Sequence, residues 1–303
     1  MNTAKKIWIS ASIICIIAGI TAAFGAAYFM DFDFGGLNNM NYEKTIYTVT
    51  EEFDNIKLRS AECDVFLSSS DDENCTVHCT ESDKIRHQVS VENKTLEIIR
   101  TDESKWYEHI GVFWGPQAYS ITIYLPQKLY DKLYISSVSG DITVPDTFKF
   151  DAVSLKNTSG DINFESETAN GISAKTVSGD INIKNIRGGS VKIDTVSGDI
   201  TFSNSRVSEI SFSNTSGDVI VRDVTADKNF MIHTTSGDAL LSDCDAPDIK
   251  IKSISGDISG TLLSEKKFSA SSVSGNIRIP DSRSDTQKCE ISTTSGNIRI
   301  SLK

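Results

Sequence analysis

The triplet Ser-Gly-Asp or Ser-Gly-Asn occurs nine times in this chain, with its glycines at Gly140, Gly160, Gly179, Gly198, Gly217, Gly237, Gly256, Gly275 and Gly296. Successive gaps are 20, 19, 19, 19, 20, 19, 19 and 21 residues. Self-similarity at so steady a spacing is the mark of a quasi-one-dimensional array, in which each unit contacts mainly its neighbours.

Aligning the units on their glycine separates core columns from surface columns. Seven residues before it runs an apolar column from Leu133 to Cys289, and five before it another from Ile135 to Ile291. Two residues after it runs the column Ile142 to Ile298, and four after it Val144 to Ile300, interrupted by Gly260. A spacing of two on each side, with β-branched enrichment, is strand periodicity. Each unit therefore reads as two short strands bent at Ser-Gly-Asp, followed by a polar connection of variable length. Glycine supplies positive φ at no steric cost, and Asp, Asn and Ser side chains bond nearby backbone amides. The position three before the glycine is Ser, Asn or Thr in every unit, which suits an inward hydrogen-bonding ladder. Two-residue Gly-Asp turns would also serve hairpins; the ladder columns favour an all-β parallel β-solenoid of about nine coils, one per repeat. Stacked Asp side chains about 5 Å apart repel by about 1 kcal/mol per pair in water. Hydrogen bonds from corner amides are the expected offset, rather than calcium, because the nonapeptide of calcium-binding β-rolls is absent.

The remaining chain divides by composition. Residues 7–30, "IWISASIICIIAGITAAFGAAYFM", contain no charge, which is enough to cross a bilayer as a helix. Lys5 and Lys6 precede this run and Asp31 and Asp33 follow it. The positive-inside rule then places the stub 1–6 in the cytoplasm and the repeats outside, on a single-pass anchor in the cell membrane. A cleaved signal peptide is the rival reading, since small residues lie near "AAFGAA". After a linker over 31–40, residues 41–132 alternate strand-like runs with turns and are expected to cap the solenoid of residues 133–303. In this segment "SAECDVFL" (Ser60–Leu67) reads as a degenerate corner with Cys63-Asp64 in place of Gly-Asp. The run "KWYEHIGVFWGPQAY" gathers Trp106, Tyr107 and Trp114. Exposed, these rings stack on sugars or rest on a membrane surface; buried, they plug the cap.

These features together, the anchor, "FDNIKLRSAECDVFL", "ITIYLP" and the run of "VSGDI" corners, resemble the bacterial putative-adhesin family of unknown function, membrane-anchored β-repeat proteins common in Firmicutes. The resemblance covers essentially everything beyond the anchor. It implies an extracellular β-solenoid at the cell envelope, encoded near envelope-stress or PadR-type regulatory genes, and it implies no chemistry. The Asn276 and Asn297 corners and the six cysteines depart from the pattern.

Signals for catalysis are few. His78, His87, His109 and His233 lie in unrelated contexts, with no His-x-x-x-His pair, nucleophile elbow or phosphate-cradling loop. The carboxylates recur at every corner, as a structural ladder would, whereas an enzyme site breaks the repeat locally. The net charge of −11 repels nucleic acid. Five cysteines lie beyond the anchor, so at most two disulfides form. Cys75 and Cys79 are out of bridging reach in an extended strand, and Cys289 reads as a small buried hydrophobe. No second cysteine pair has finger-like spacing, so neither zinc nor any other metal or cofactor is expected. The expected function is a non-catalytic binding or adhesive surface, its partner a cell-wall glycan or an envelope membrane protein. The alternatives are an envelope-stress sensor or scaffold partnering a membrane protein, and a polysaccharide-acting β-helix enzyme.

Overall fold

Alternation of buried and exposed residues runs through the repeats, and the computed structural model turns each apolar column into the inner face of a strand. It describes residues 15, 16, 19, 21, 42–71, 73–103, 119–282, 284 and 287–303. The chain divides into two units, residues 1–42 with 103–117 and residues 43–102 with 118–303, and all the repeats belong to the second. The expected membrane helix over 7–30 falls almost wholly outside the described residues, as do Trp106, Tyr107 and Trp114. Among the described residues no helix is long and apolar enough to cross a membrane.

The second unit is a parallel β-solenoid built from a 13-stranded and a 12-stranded sheet. In each repeat the strand before the glycine joins the 12-stranded sheet and the strand after it joins the other. Thus β14 (Ser190–Ser197) and β15 (Ile200–Val207) form one coil, and β16 (Glu209–Ser216) and β17 (Val219–Ala226) the next. Register is kept between these coils: Val191 stands opposite Ile210, and Ile200 opposite Val219. The four apolar columns form one core, with Ile193, Phe202, Phe212 and Val221 fully buried. Each such side chain contributes about 1.5–3 kcal/mol.

Two sequence expectations need correction. The connection after the second strand is not simply polar and variable. In four successive coils it makes a second bend six residues after the glycine, at Asn185, Asn204, Asp223 and Asp243, all with φ between 52° and 63°. Short Asn and Asp side chains tolerate this left-handed conformation. The bend then returns Ile186, Val207, Val224 and Cys244 to the core.

The coils also do not stack in chain order throughout. At the C-terminal end, β20 (Asp248–Lys252) and β21 (Ile258–Leu262) are followed in sequence by β22 (Lys267–Ser274) and β23 (Ile277–Arg278), and then by β24 (Lys288–Ser295) and β25 (Ile298–Leu302). In space the last coil is inserted between the other two: β24 pairs with both β20 and β22, and β25 with both β21 and β23. The N-terminal end is interleaved likewise. The first coil, β2 (Asn55–Arg59) with β3 (Asp64–Ser69), lies between β6 (Thr95–Asp102) with β7 (Ser120–Leu125) and β8 (Leu129–Ser136) with β9 (Ile142–Val144). Beyond β6 and β7, β4 (Cys75–Ser82) and β5 (Ile85–Glu92) pair antiparallel with β7 and β6, and β1 (Tyr42–Val49) forms the sheet edge outside β4.

The crossover that skips a rung carries a buried cation. Lys266 is fully buried, with Nζ bonded to Asp245 Oδ1 and Gln287 Oε1 and 2.8 Å from Ser264 Oγ. These partners come from the preceding coil, the crossover itself and the approach to β24. One ammonium thus ties the skipped rung together, and its donors are used, as a buried charge requires.

Candidate binding surface

The corner positions its side chains through three hydrogen-bonded columns. From Gly160 to Gly256 each corner glycine amide donates to the serine carbonyl of the adjacent coil, as from Gly179 to Ser197 at 3.0 Å and from Gly198 to Ser216 at 3.0 Å. Each Asp carboxylate accepts the backbone N–H of the Asp or Asn on the next rung. The chain of bonds begins at Asp64, whose Oδ1 takes the Asp141 amide at 2.9 Å. It continues through Asp161, Asp180, Asp199, Asp218, Asp238 and Asp257 at 2.7–2.8 Å per step. It then passes to Asn297 at 2.7 Å and to Asn276 at 3.0 Å, following the interleaved order rather than the sequence. These bonds are the offset to carboxylate repulsion. At Asp257 they come from the backbone and side-chain amides of Asn297 and hold the carboxyl below its ordinary value.

Asp64 at the head of the ladder shows that Cys63-Asp64 is indeed a corner. A Cβ placed on Gly140 would lie 2.3 Å from the Cys63 carbonyl oxygen, just as one on Gly160 would lie 2.4 Å from that of Gly140. The central corners are tighter still: Gly198 has φ of +147°, and a Cβ there would lie 2.0 Å from the Gly179 oxygen. Glycine is therefore required twice over, for its conformation and for the close approach of the rung beside it. Gly275, on the outermost rung, is the one corner glycine without positive φ in the left-handed range.

The polar column three before the glycine is buried, but its bonds run to corner carbonyls rather than along the column. Asn214 Nδ2 donates to the Gly198 and Gly217 oxygens at 3.1 and 2.8 Å, and Asn157 Nδ2 to Gly140 at 2.7 Å. The hydroxyls of Thr195, Thr234 and Ser253 find no partner among the described residues.

Outside these columns lies a feature that the glycine alignment shows but that core-seeking reasoning passed over. Two residues before the glycine stand Val138, Thr158, Val177, Val196, Thr215, Thr235, Ile254, Val273 and Thr294, every one β-branched. Val177, Val196 and Ile254 are 42%, 45% and 50% exposed. Beside them run the serine and aspartate columns, so the corner edge is a ribbon of methyl, hydroxyl and carboxylate rows repeating about every 4.8 Å. Such a ribbon offers repetitive contact to an extended partner. It brings together no nucleophile and base. The four histidines stay apart: His78 lies against Tyr124 with ring centroids 4.6 Å apart, His87 is buried in the cap, His233 is exposed and His109 lies outside the described residues. A shallow cleft of about 140 Å³ opens over Lys250, Lys252, Ser269 and Glu290, smaller than pockets that enclose metabolite-sized ligands.

Fold and surface together define an all-β solenoid repeat protein whose corners, not a pocket, carry its regular chemistry. The chain belongs to the Toastrack DUF4097 family, whose model matches residues 53–242 and 188–303. A solved structure described as a putative adhesin from Parabacteroides distasonis is similar over 87% of this chain and 98% of its own, at 12% identity and a TM-score of 0.51. Two others of the same description, from Bacteroides fragilis and Parabacteroides merdae, cover 86% and 87% of this chain and 97% of their own, at 17% and 11% identity and TM-scores of 0.47 and 0.48. No curated protein matches the sequence.

Proposed function

We propose that the protein is a non-catalytic binding module of the cell envelope, held to the membrane by residues 7–30 with its repeats outside, and that the corner ribbon is its adhesive surface. The observation that carries the reading is the exposed β-branched column beside the serine and aspartate rows. The hydrogen-bonded ladder beneath holds this ribbon rigid, so a partner that lies along it loses little affinity to ordering of the protein. An extended glycan strand of the cell wall, with repeating hydroxyls and apolar sugar faces, has the matching chemistry. Trp106, Tyr107 and Trp114 supply additional stacking surfaces for sugar rings.

The test is retention of the full-length chain on purified cell-wall fractions and on a glycan array. Wild type should be retained, and a Val177→Asp/Val196→Asp variant should lose retention at least tenfold while keeping its melting temperature within a few degrees. A Trp106→Ala/Trp114→Ala variant measures the aromatic contribution separately. Equal retention of wild type and the ribbon variant would overturn the assignment of the surface, and no retention of wild type would overturn glycan binding.

A further inference from the structure

The N-terminal cap contains a group of side chains unlike anything in the repeats. Strand β4 turns Cys79 and Glu81 inward, and β5, after the exposed turn at Asp83 and Lys84, turns His87 inward beside them. All three are buried, Cys79 to 1% exposure and the His87 side chain to 3%. One donor atom from each, the Cys79 sulfur, a Glu81 oxygen and a His87 ring nitrogen, lies within 4.8 Å of the other two.

The protonation pattern follows from the contacts. Glu81 Oε1 accepts the Tyr47 hydroxyl at 2.9 Å and the His87 backbone N–H at 2.6 Å, and lies 3.0 Å from His87 Nδ1. Burial pushes this carboxyl up, but hydrogen bonds from Thr45, Tyr47 and His87 together outweigh it and hold the group ionised. A carboxylate only accepts, so Nδ1 carries the proton it shares with Glu81. With Nδ1 engaged by Glu81, Nε2 is the ring nitrogen left to meet another group. That atom is buried and has no hydrogen-bond partner among the described residues. A buried acceptor without a donor is costly to keep. A carboxylate that fixes the tautomer of a histidine, leaving the other nitrogen's lone pair free, is the arrangement found behind metal-bound imidazoles.

We infer that Cys79 and His87, oriented by Glu81, form a binding site for a single thiophilic d10 metal ion of the Zn²⁺ or Cu⁺ type. Thiolate and imidazole are the donors such ions select, whereas calcium and magnesium require oxygen ligands. Two donors at about 2.3 Å and 2.0 Å from one ion are at most about 4.3 Å apart, close to the 4.8 Å within which the donor atoms of the cluster are already gathered. Binding replaces the thiol proton of Cys79 by the metal and releases that proton to solvent. The site joins β4 to β5, which lie in different sheets, so the ion would clasp the two sheets at the N-terminal end of the solenoid. Spacing in the sequence gives no hint of it, because the three residues meet only through the turn between two cap strands.

The experiment uses the full-length chain in detergent, stripped of metal and titrated with Zn²⁺ and, as a redox-inert stand-in for Cu⁺, with Ag⁺. The expected result is one ion per chain for at least one probe, and with Co²⁺ a thiolate-to-metal charge-transfer band. Cys79→Ser and His87→Gln should each weaken binding at least tenfold, and Glu81→Gln by about tenfold. Cys75→Ser, equally buried on the same face of β4, should bind as wild type. Failure of wild type to bind any of the three probes above the Cys79→Ser background, or equal loss in Cys75→Ser, would overturn the site.

Discussion

The central coils and the two ends of the solenoid are made of the same columns but are held together differently. In the centre each coil stacks on its chain neighbours, and the contacts are the repeating ones: four apolar columns, glycine corners in close approach and one carboxylate bond per rung. At the ends the chain doubles back, so that a terminal coil is enclosed between two others, and single non-repeating groups such as Lys266 hold the crossover. The contrast shows that the repeat specifies how any two coils fit, while the ends decide which coil lies beside which.

Removing residues 287–303 attacks the end arrangement most severely. The truncation extracts the enclosed rung with Cys289, Ile291, Ile298 and Ile300 and leaves the rung 267–278 without its partner. A loss on the order of 5 kcal/mol is expected, visible as a lowered melting temperature and rapid proteolysis near residue 270. Deleting 264–303, which is more of the chain, should restore much of the stability. Stability that simply fell with length would show that the interleaving has no energetic weight.

Substitution at a corner comes next and should separate centre from end. Gly198→Ala places its Cβ against a carbonyl between two fixed rungs at positive φ, and a cost of about 2–4 kcal/mol is expected in chemical denaturation. Gly275→Ala meets the Gly296 oxygen as closely, but the outermost rung is free to shift, so a cost of less than about 1 kcal/mol is expected. Equal costs would mean that the ends are as rigid as the centre.

Lys266→Ala should cost about 3 kcal/mol, because Asp245 and Gln287 lose their shared donor. Lys266→Met fills the same volume but leaves the Asp245 carboxylate without its cation, with only the Ala246 amide and the Ser264 hydroxyl as donors to Oδ1, so it should recover only the packing part. Thermal melts of the two variants would separate the terms.

Within the ladder the effects are smallest. Asp199→Asn keeps an acceptor oxygen and should change stability by less than about 0.5 kcal/mol, whereas Asp199→Ala removes the acceptor and should cost about 1 kcal/mol. Asp257 adds a pH dependence. Its folded-state pKa lies below the ordinary 3.8, so its contribution is complete above that value and is lost as pH falls through the depressed one. Acid unfolding of Asp257→Asn should therefore be less steep than that of wild type below about pH 4, and identical curves would exclude the bond as a source of acid sensitivity.

Much of this was legible in the sequence, because columns that repeat carry their own alignment. The glycine corners, the apolar faces and the degenerate corner at Cys63 could be read directly. The second bend was also written there, as Asn or Asp six residues after four successive glycines, and was missed because variable loop length hides a column that ends after four coils. The interleaved ends were not legible, since rungs with near-identical columns fit one another in any order. Nor was the Cys79–Glu81–His87 cluster, whose members meet only through tertiary packing of the cap. Of the surface, the β-branched column was available but does not announce itself in a search for cores, and the aromatic residues singled out beside it lie outside the described residues.

The enclosed last coil has a mechanical consequence. Strand β25 pairs along its full length with β21, from Ile258↔Ile298 to Leu262↔Leu302, and on its other side with β23. Lys303 adds a backbone bond to Leu262 at 3.0 Å and an ion pair to Asp243 at 2.8 Å. A tensile load applied at the C-terminus runs along the strand while these bonds lie across it, so it must shear two rows together instead of unzipping one bond after another. A chain whose final strand formed the outermost rung would peel from its tip; in this one the terminal strand is a gripped tether.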